Sequence, residues 1–278
     1  MADYSKLSAR IDAAVLAAVA PKVSGARLKK QTAIIAAFGL LLPTLLAAAE
    51  INTPLRISHF ISQVAHESDG FCAIEEYASG AAYEGRKDLG NTQKGDGIRF
   101  KGRGPIQLTG RANYRDFTIW MRKRRPDCPD FEANPELVAT WPWAGWAAAY
   151  FWAEKDLNAL ADRDDLVAVT KRINGGRNGI DERGAYLKKA KAEIMPLASI
   201  DYLTTGYVVL RRGHKSAAVD RLQRALVKFG MPIGIDGDFG PATELAVKAL
   251  QKARGVTPAD GIVGKNTWVA LEAYLDAA

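Results

Sequence analysis

Glu67 and Glu76 flank the short segment from Ser68 to Glu75, and a glycine-dense stretch, Gly95 to Gly110, follows downstream. Two carboxyl groups facing each other across a groove can cleave a glycosidic bond. One protonates the departing oxygen while the other draws a proton from water. Few other chemistries fit. His66-Glu67 begins like a zinc-protease motif, but the second histidine is replaced by Gly70. With 3 histidines in all (His59, His66 and His214), neither a metal site nor a serine triad is expected, and no cofactor is implied. His66 reads as a packed or supporting residue. The Gly102-x-Gly104 run lacks the strand–turn–helix setting of a nucleotide fold and reads as backbone lying along a substrate.

The helix carrying Glu67 announces itself. Thr53 is a candidate N-cap and Pro54 suits the first helical position. Ile57, Phe60, Val64 and Glu67 then fall on one face. Glu67 therefore ends an apolar stripe, where desolvation would favour the protonated form that a general acid needs. The partner base is less determined by the residues alone: Glu75, Glu76 and Glu84 all qualify. From Gly80 to Gly110 the chain lacks helical periodicity, predicting a loop and a small β-hairpin with two or three short strands.

Helices are predicted over 7–20 and 32–49, from Tyr114 onward, and at Pro142–Lys155, Leu166–Ile173 and Glu182–Glu193. Trp141, Trp143, Trp146 and Trp152 read as core aromatics in preference to sugar platforms. The uncharged stretch Thr32–Ala49 sits at the lower limit of the roughly 17–25 residues that span a bilayer. Gly39 and Pro43 interrupt it, so a buried pair of core helices is expected and stable membrane association is not. The helical pattern stops around Met195-Pro196, and a second unit begins near Tyr202. In it, Asp236-Gly237-Asp238-Phe239-Gly240-Pro241-Ala242-Thr243 is echoed by Asp260-Gly261-Ile262-Val263-Gly264-Lys265-Asn266-Thr267. Each copy reads as a glycine turn, a threonine N-cap and a helix. With a helix over Ala218–Phe229, this makes a three-helix module. Asp236 and Asp238 have calcium-loop spacing, but Val247 stands where such a loop closes with glutamate.

The 278 residues, 48% hydrophobic and 25% charged, have the make-up of a soluble protein of one large or two modest domains. A net charge of +7 favours anionic partners such as nucleic acid, membrane surface or bacterial wall polymer. The densest basic run, Arg122 to Arg125, has no interleaved aromatics, so a nucleic-acid partner is not expected. The 2 cysteines, Cys72 and Cys128, are too few for a disulfide scaffold and read as buried free thiols of a protein made in a reducing compartment. The first residues lack the charged start and apolar core of a signal peptide.

Several ordered words carry a family resemblance: His59-Phe60-Ile61-Ser62-Gln63-Val64-Ala65-His66-Glu67-Ser68, Tyr83-Glu84-Gly85-Arg86, Lys101 through Tyr114, and Ile173-Asn174-Gly175-Gly176. With them, roughly residues 30–195 resemble glycoside hydrolase family 19, the lysozyme-like chitinase and phage endolysin group. Residues 203–278 resemble the common three-helix peptidoglycan-binding module through Val219-Asp220-Arg221-Leu222-Gln223, both Asp-Gly repeats and Thr267-Trp268. The resemblance implies a mainly α chain: a lysozyme-like α+β catalytic domain over 1–200, with a small β-hairpin region, and a wall-binding domain over 203–278. It implies Glu67 as general acid, Glu76 as general base and Thr109 as the residue orienting the attacking water. Gln107, Asn113, Asn174 and Tyr83 become substrate-binding positions, and Arg183 a support for the carboxylates, keeping Glu76 ionised. The activity implied is an inverting muramidase on peptidoglycan, as in a phage or prophage endolysin. Such a monomer stays in the host cytoplasm until a separate pore protein releases it to the wall. A chitinase and a non-catalytic wall-binding protein are the competing expectations.

Overall fold

The computed structural model describes residues 7–205, 209–271 and 274. Its contacts divide into two units, Met1–Ala198 and Ser199–Ala278. The first holds α1 (Ala13–Val19), α2 (Gly25–Ala48), α3 (Pro54–Glu67), α4 (Asp96–Arg99), α5 (Arg111–Arg122), α6 (Trp143–Glu154), α7 (Leu157–Ala161), α8 (Leu166–Asn174) and most of α9 (Ile180–Thr205). The second holds α10 (Ala217–Phe229), α11 (Pro241–Ala253) and α12 (Lys265–Leu271).

The helix that delivers Glu67 starts as the sequence predicts. Thr53 Oγ1 accepts the Arg56 N–H at 3.2 Å, with Pro54 at the first helical position. Such a cap contributes about 1 kcal/mol. Ile57, Phe60 and Val64 are fully buried, and the Phe60 ring meets Trp152 edge-on at 5.4 Å. Trp146 and Trp152 belong to the core, with Trp141 and Trp143 packed against it. The position of Glu67 is thus set by an apolar face that cannot shift without opening the core.

Two prolines behave differently from expectation. α2 is one helix, where Gly39 and Pro43 predicted a pair, and α9 runs through Pro196 to Thr205, where the pattern predicted a stop. A proline within a helix removes one backbone hydrogen bond, a cost that packing can cover. Along α2, Ile34, Ile35, Phe38, Leu42, Leu45 and Leu46 are all buried in the core. Gly39 serves a close approach: a Cβ there would lie 2.5 Å from the Ala13 nitrogen of α1. α2 is long and apolar enough to cross a membrane, and 44% of its most apolar window is buried within the protein.

The segment predicted as a hairpin has no continuous strands. Short helical turns occupy Ala81–Tyr83, Lys87–Leu89 and α4. What pairs is a ribbon of isolated bridges, Glu75 with Arg103 and Arg103 with Leu108. Frequent glycines and the competing helical turns keep the pairing to single rungs. Cys72 and Cys128 are buried and free, as expected.

In the second unit, Thr243 and Thr267 are not N-caps. Each lies inside its helix, in the third position of α11 and α12, and is buried. Their hydroxyls serve two interior glutamines. Gln223 Nε2 donates to Asp236 Oδ1 (2.7 Å), the Asp238 carbonyl (3.0 Å) and Thr243 Oγ1 (3.1 Å). Gln251 Nε2 donates to the Ile262 carbonyl (2.8 Å) and Thr267 Oγ1 (3.1 Å), with Asp260 Oδ1 at 3.3 Å. Each glutamine oxygen accepts from the backbone of its own Asp-Gly turn. Asp236 and Asp260 are thus turn-building residues, and among the described residues no acidic, histidine or cysteine cluster could hold a metal ion.

Candidate active site

The ribbon of bridges positions Glu76. Its N–H donates to the Gly102 carbonyl at 2.9 Å, while the Gly102 N–H donates to Glu76 Oε2 at 3.1 Å. Gly102 is the meeting point of three polar side chains. A Cβ built on it would stand 2.7 Å from Gln107 Oε1, 3.2 Å from Glu76 Oε2 and 3.3 Å from Thr109 Oγ1. Only a residue without a side chain leaves that space open.

The remaining contacts fix this group. The Tyr83 hydroxyl donates to Glu76 Oε1 at 3.0 Å. Burial pushes the Tyr83 phenol above its ordinary value, and the Glu76 carboxylate adds to the effect, so the phenol stays a donor near neutral pH. Thr109 Oγ1 donates to the Gln107 carbonyl at 2.8 Å. Its oxygen lone pairs remain for an incoming donor. Gln107 itself takes a positive φ of 58°, uncommon for a non-glycine residue, and its amide donates to the Gly104 carbonyl at 3.1 Å. Asn113 Nδ2 donates to the Thr109 carbonyl at 2.6 Å, holding the threonine's backbone.

Glu67 belongs to a second group, built on Arg183. Arg183 Nη2 meets Glu67 Oε1 at 2.5 Å and Nη1 meets Gln63 Oε1 at 2.5 Å. The guanidinium Nε donates to the Asn178 carbonyl at 3.1 Å, and Arg183 is 1% exposed. Arg183 was expected to serve Glu76; it is bonded to Glu67. The apolar setting read from the stripe is also corrected, because the carboxylate end reaches past the stripe to a buried cation. Asn174 closes the loop beside this pair, donating to the Asn178 carbonyl at 3.1 Å and accepting from Gly176 N at 2.9 Å. Its side chain is thereby engaged with its own loop.

One member of this group carried no sequence signal strong enough to single it out, while His66 was read as a packed or supporting residue. Gln63 lies one helical turn before Glu67 on the same face, and that spacing is the signal it gave. His66 Nδ1 pairs with Glu182 Oε2 at 2.6 Å. Consecutive residues of α3 (His66 and Glu67) thus engage consecutive residues of α9 (Glu182 and Arg183).

The rival bases have other work. Glu75 is paired with Arg103 at 3.0 Å and Lys101 at 3.4 Å. Glu84 accepts the backbone N–H groups of Gly95 (2.7 Å) and Gly97 (2.8 Å), tying down the turn before α4. A cavity of about 480 Å³ opens beside Glu75 and Glu76, with Ile34, Ile74 and Trp141 in its largely apolar wall. Glu67 does not line it, so this cavity is not the gap between the two carboxyl groups.

A carboxylate with a nearby hydroxyl, and a second carboxyl on a guanidinium, thus stand on a mainly helical frame. Residues 215–271 match the family described as "Putative peptidoglycan binding domain". A glycosyl hydrolase family 19 domain-containing protein of Haemophilus influenzae is 37% identical over 109 residues, 39% of this chain and 49% of that protein. An endochitinase of Arabidopsis thaliana is 32% identical over 120 residues, 43% of this chain and 39% of that protein. The chain therefore spans about half the length of the first relative and less of the second. A class IV family 19 chitinase from Zea mays shares the fold, with a TM-score of 0.51 and 21% identity over 68% of this chain and 92% of that one. The chain resembles family 19 glycosyl hydrolases in sequence and in fold, and the stretch matching the putative peptidoglycan-binding family follows that unit.

Proposed function

We propose that the chain hydrolyses the β-1,4 glycosidic bonds of peptidoglycan by inversion, as a muramidase of the endolysin type. The observation that carries this reading is the convergence of Glu76, Thr109 and Gln107 on Gly102. A water that donates one hydrogen to Glu76 and the other to Thr109 Oγ1 presents its lone pair to an anomeric carbon. As the water oxygen attacks, Glu76 takes its proton, the glycosidic C–O bond breaks, and Glu67 gives its proton to the departing oxygen. Arg183 then stabilises the carboxylate that Glu67 has become. Gln107, Asn113, Asn174 and Tyr83 are assigned to holding the sugar or the residues that touch it. The peptidoglycan-binding domain supports a wall polymer as substrate, since tethering raises the local concentration of the enzyme on it. The net charge of +7 favours the same anionic surface. A phage origin and release of a monomer from the host cytoplasm complete the proposal.

The second reading is a chitinase, favoured by the fold shared with the Zea mays enzyme. Purified sacculi and soluble chitin oligomers, assayed side by side with mass spectrometry of the products, decide between them. Reducing-end muramic acid from sacculi supports the muramidase. Reducing-end glucosamine indicates a glucosaminidase, and faster turnover of chitin oligomers overturns the peptidoglycan assignment.

A further inference from the structure

The two copies of the Asp-Gly repeat share one interior and differ at the rim. In each, a glutamine 1% exposed ties together the aspartate, the glycine turn and the buried threonine. The shared residues therefore have work in the fold, and what one copy offers a ligand that the other does not must come from positions where the copies diverge. In the first copy those positions hold Asp238, Pro241 and Ala242, and Asp238 is paired with Lys215 at 2.7 Å. In the second they hold Ile262, Lys265 and Asn266, all exposed.

These three divergent residues line one cavity of about 240 Å³. Val256 and Pro258 add to its apolar wall, and Asp260 gives its rim a charge opposite to that of Lys265. The volume falls below the roughly 300–1,000 Å³ of sites for drug-sized ligands, so the cavity takes an end of a chain molecule. An apolar wall with one charge of each sign matches a short peptide that bears small methyl side chains, a carboxylate and an ammonium. A glycan strand of N-acetylated sugars offers no cation to Asp260. We propose that this cavity is the wall-binding site of the second unit and that it takes the end of the peptidoglycan stem peptide. This inference rests on the peptidoglycan reading of the chain and makes the module a reader of peptide, while the first unit works on sugar.

The test uses the full chain with Glu67→Gln, so that sacculi stay intact, in a sedimentation assay. Adding I262D and N266A gives the second copy the residues that the first copy already carries. Because both are accommodated there, the fold is expected to hold, which thermal unfolding checks. Sacculus affinity should fall roughly tenfold, the scale of one lost anchoring contact. N266A alone places the best helix former at an exposed helical position and should cost about threefold. A242N in the first copy should change nothing. Free stem tetrapeptide should release the bound chain. Undiminished sedimentation of the double variant, or no release by the tetrapeptide, overturns the cavity assignment whatever a chitin tetrasaccharide does. If the chain without rim substitutions fails to sediment at all, the peptidoglycan reading falls with it.

Discussion

The two carboxylates of the candidate site are held by opposite means. Glu76 is bound by neutral donors, the Tyr83 hydroxyl and the Gly102 N–H, on a ribbon of isolated bridges. Glu67 is bound by a buried guanidinium between two helices, in a network that also takes in Gln63 and the Asn178 carbonyl. Identical side chains thus stand in different surroundings, one facing a buried cation and the other neutral donors. The helical partner is held by a side chain distant in sequence, and the ribbon partner by backbone and a tyrosine close to it.

The sharpest break of this comparison is Glu67→Gln, which removes the proposed proton donor but keeps the size. Lysis of sacculi should fall by about 10²–10⁴, with wall binding retained. Undiminished turbidity clearance would reassign the acid. Next in size is Arg183→Ala, which leaves Glu67 and Gln63 facing an empty, buried space. Losing one partner of a buried pair costs about 3–5 kcal/mol, and the partial exposure of Glu67 (19%) puts this case toward the low end. Urea unfolding reads it, and an unchanged midpoint would show that the pair does not brace α3 against α9. On the ribbon side, Gly102→Ala should lower activity about tenfold or more, because the methyl would press on Gln107 Oε1 at 2.7 Å. Stability should change far less than in the arginine variant; the reverse ranking would show that the ribbon, and not the guanidinium, carries the greater structural load.

The smallest effect concerns pH. Burial holds the His59 imidazole below its ordinary value of 6.5, partly offset by Asp164, whose Oδ1 lies 2.8 Å from Nε2. The folded chain therefore resists a proton that the unfolded chain accepts. Stability should be full above about pH 7 and decline as the pH falls through 6.5 toward the lower folded value. Unfolding midpoints at pH 7.5 and 5.5 should differ less for His59→Gln than for the parent, and equal differences would remove His59 from the account.

Much of the helical half was legible because its signals are local. The Thr53 cap, Pro54 and the apolar stripe all lie within a few residues of one another, and they place Glu67 without any long-range information. The partner of Glu67 could not be read this way. Arg183 lies 116 positions away, and which carboxylate it meets depends on how α9 docks. The ribbon was legible only as a glycine-rich irregularity, since single rungs have no period. The threonines of the repeat misled because a hydroxyl after a glycine turn looks like a cap. Here a glutamine from the preceding helix claims it first. Asn113 and Asn174 were found as residues, but their side chains are spent on neighbouring backbone.

The interior glutamines of the repeat have one more consequence. Gln223 and Gln251 each knit their turn from within, so the outward residues of either copy carry almost none of the structural duty. Such a module resembles a plug with interchangeable pins. Its outer positions can be exchanged while the scaffold beneath stays as it is.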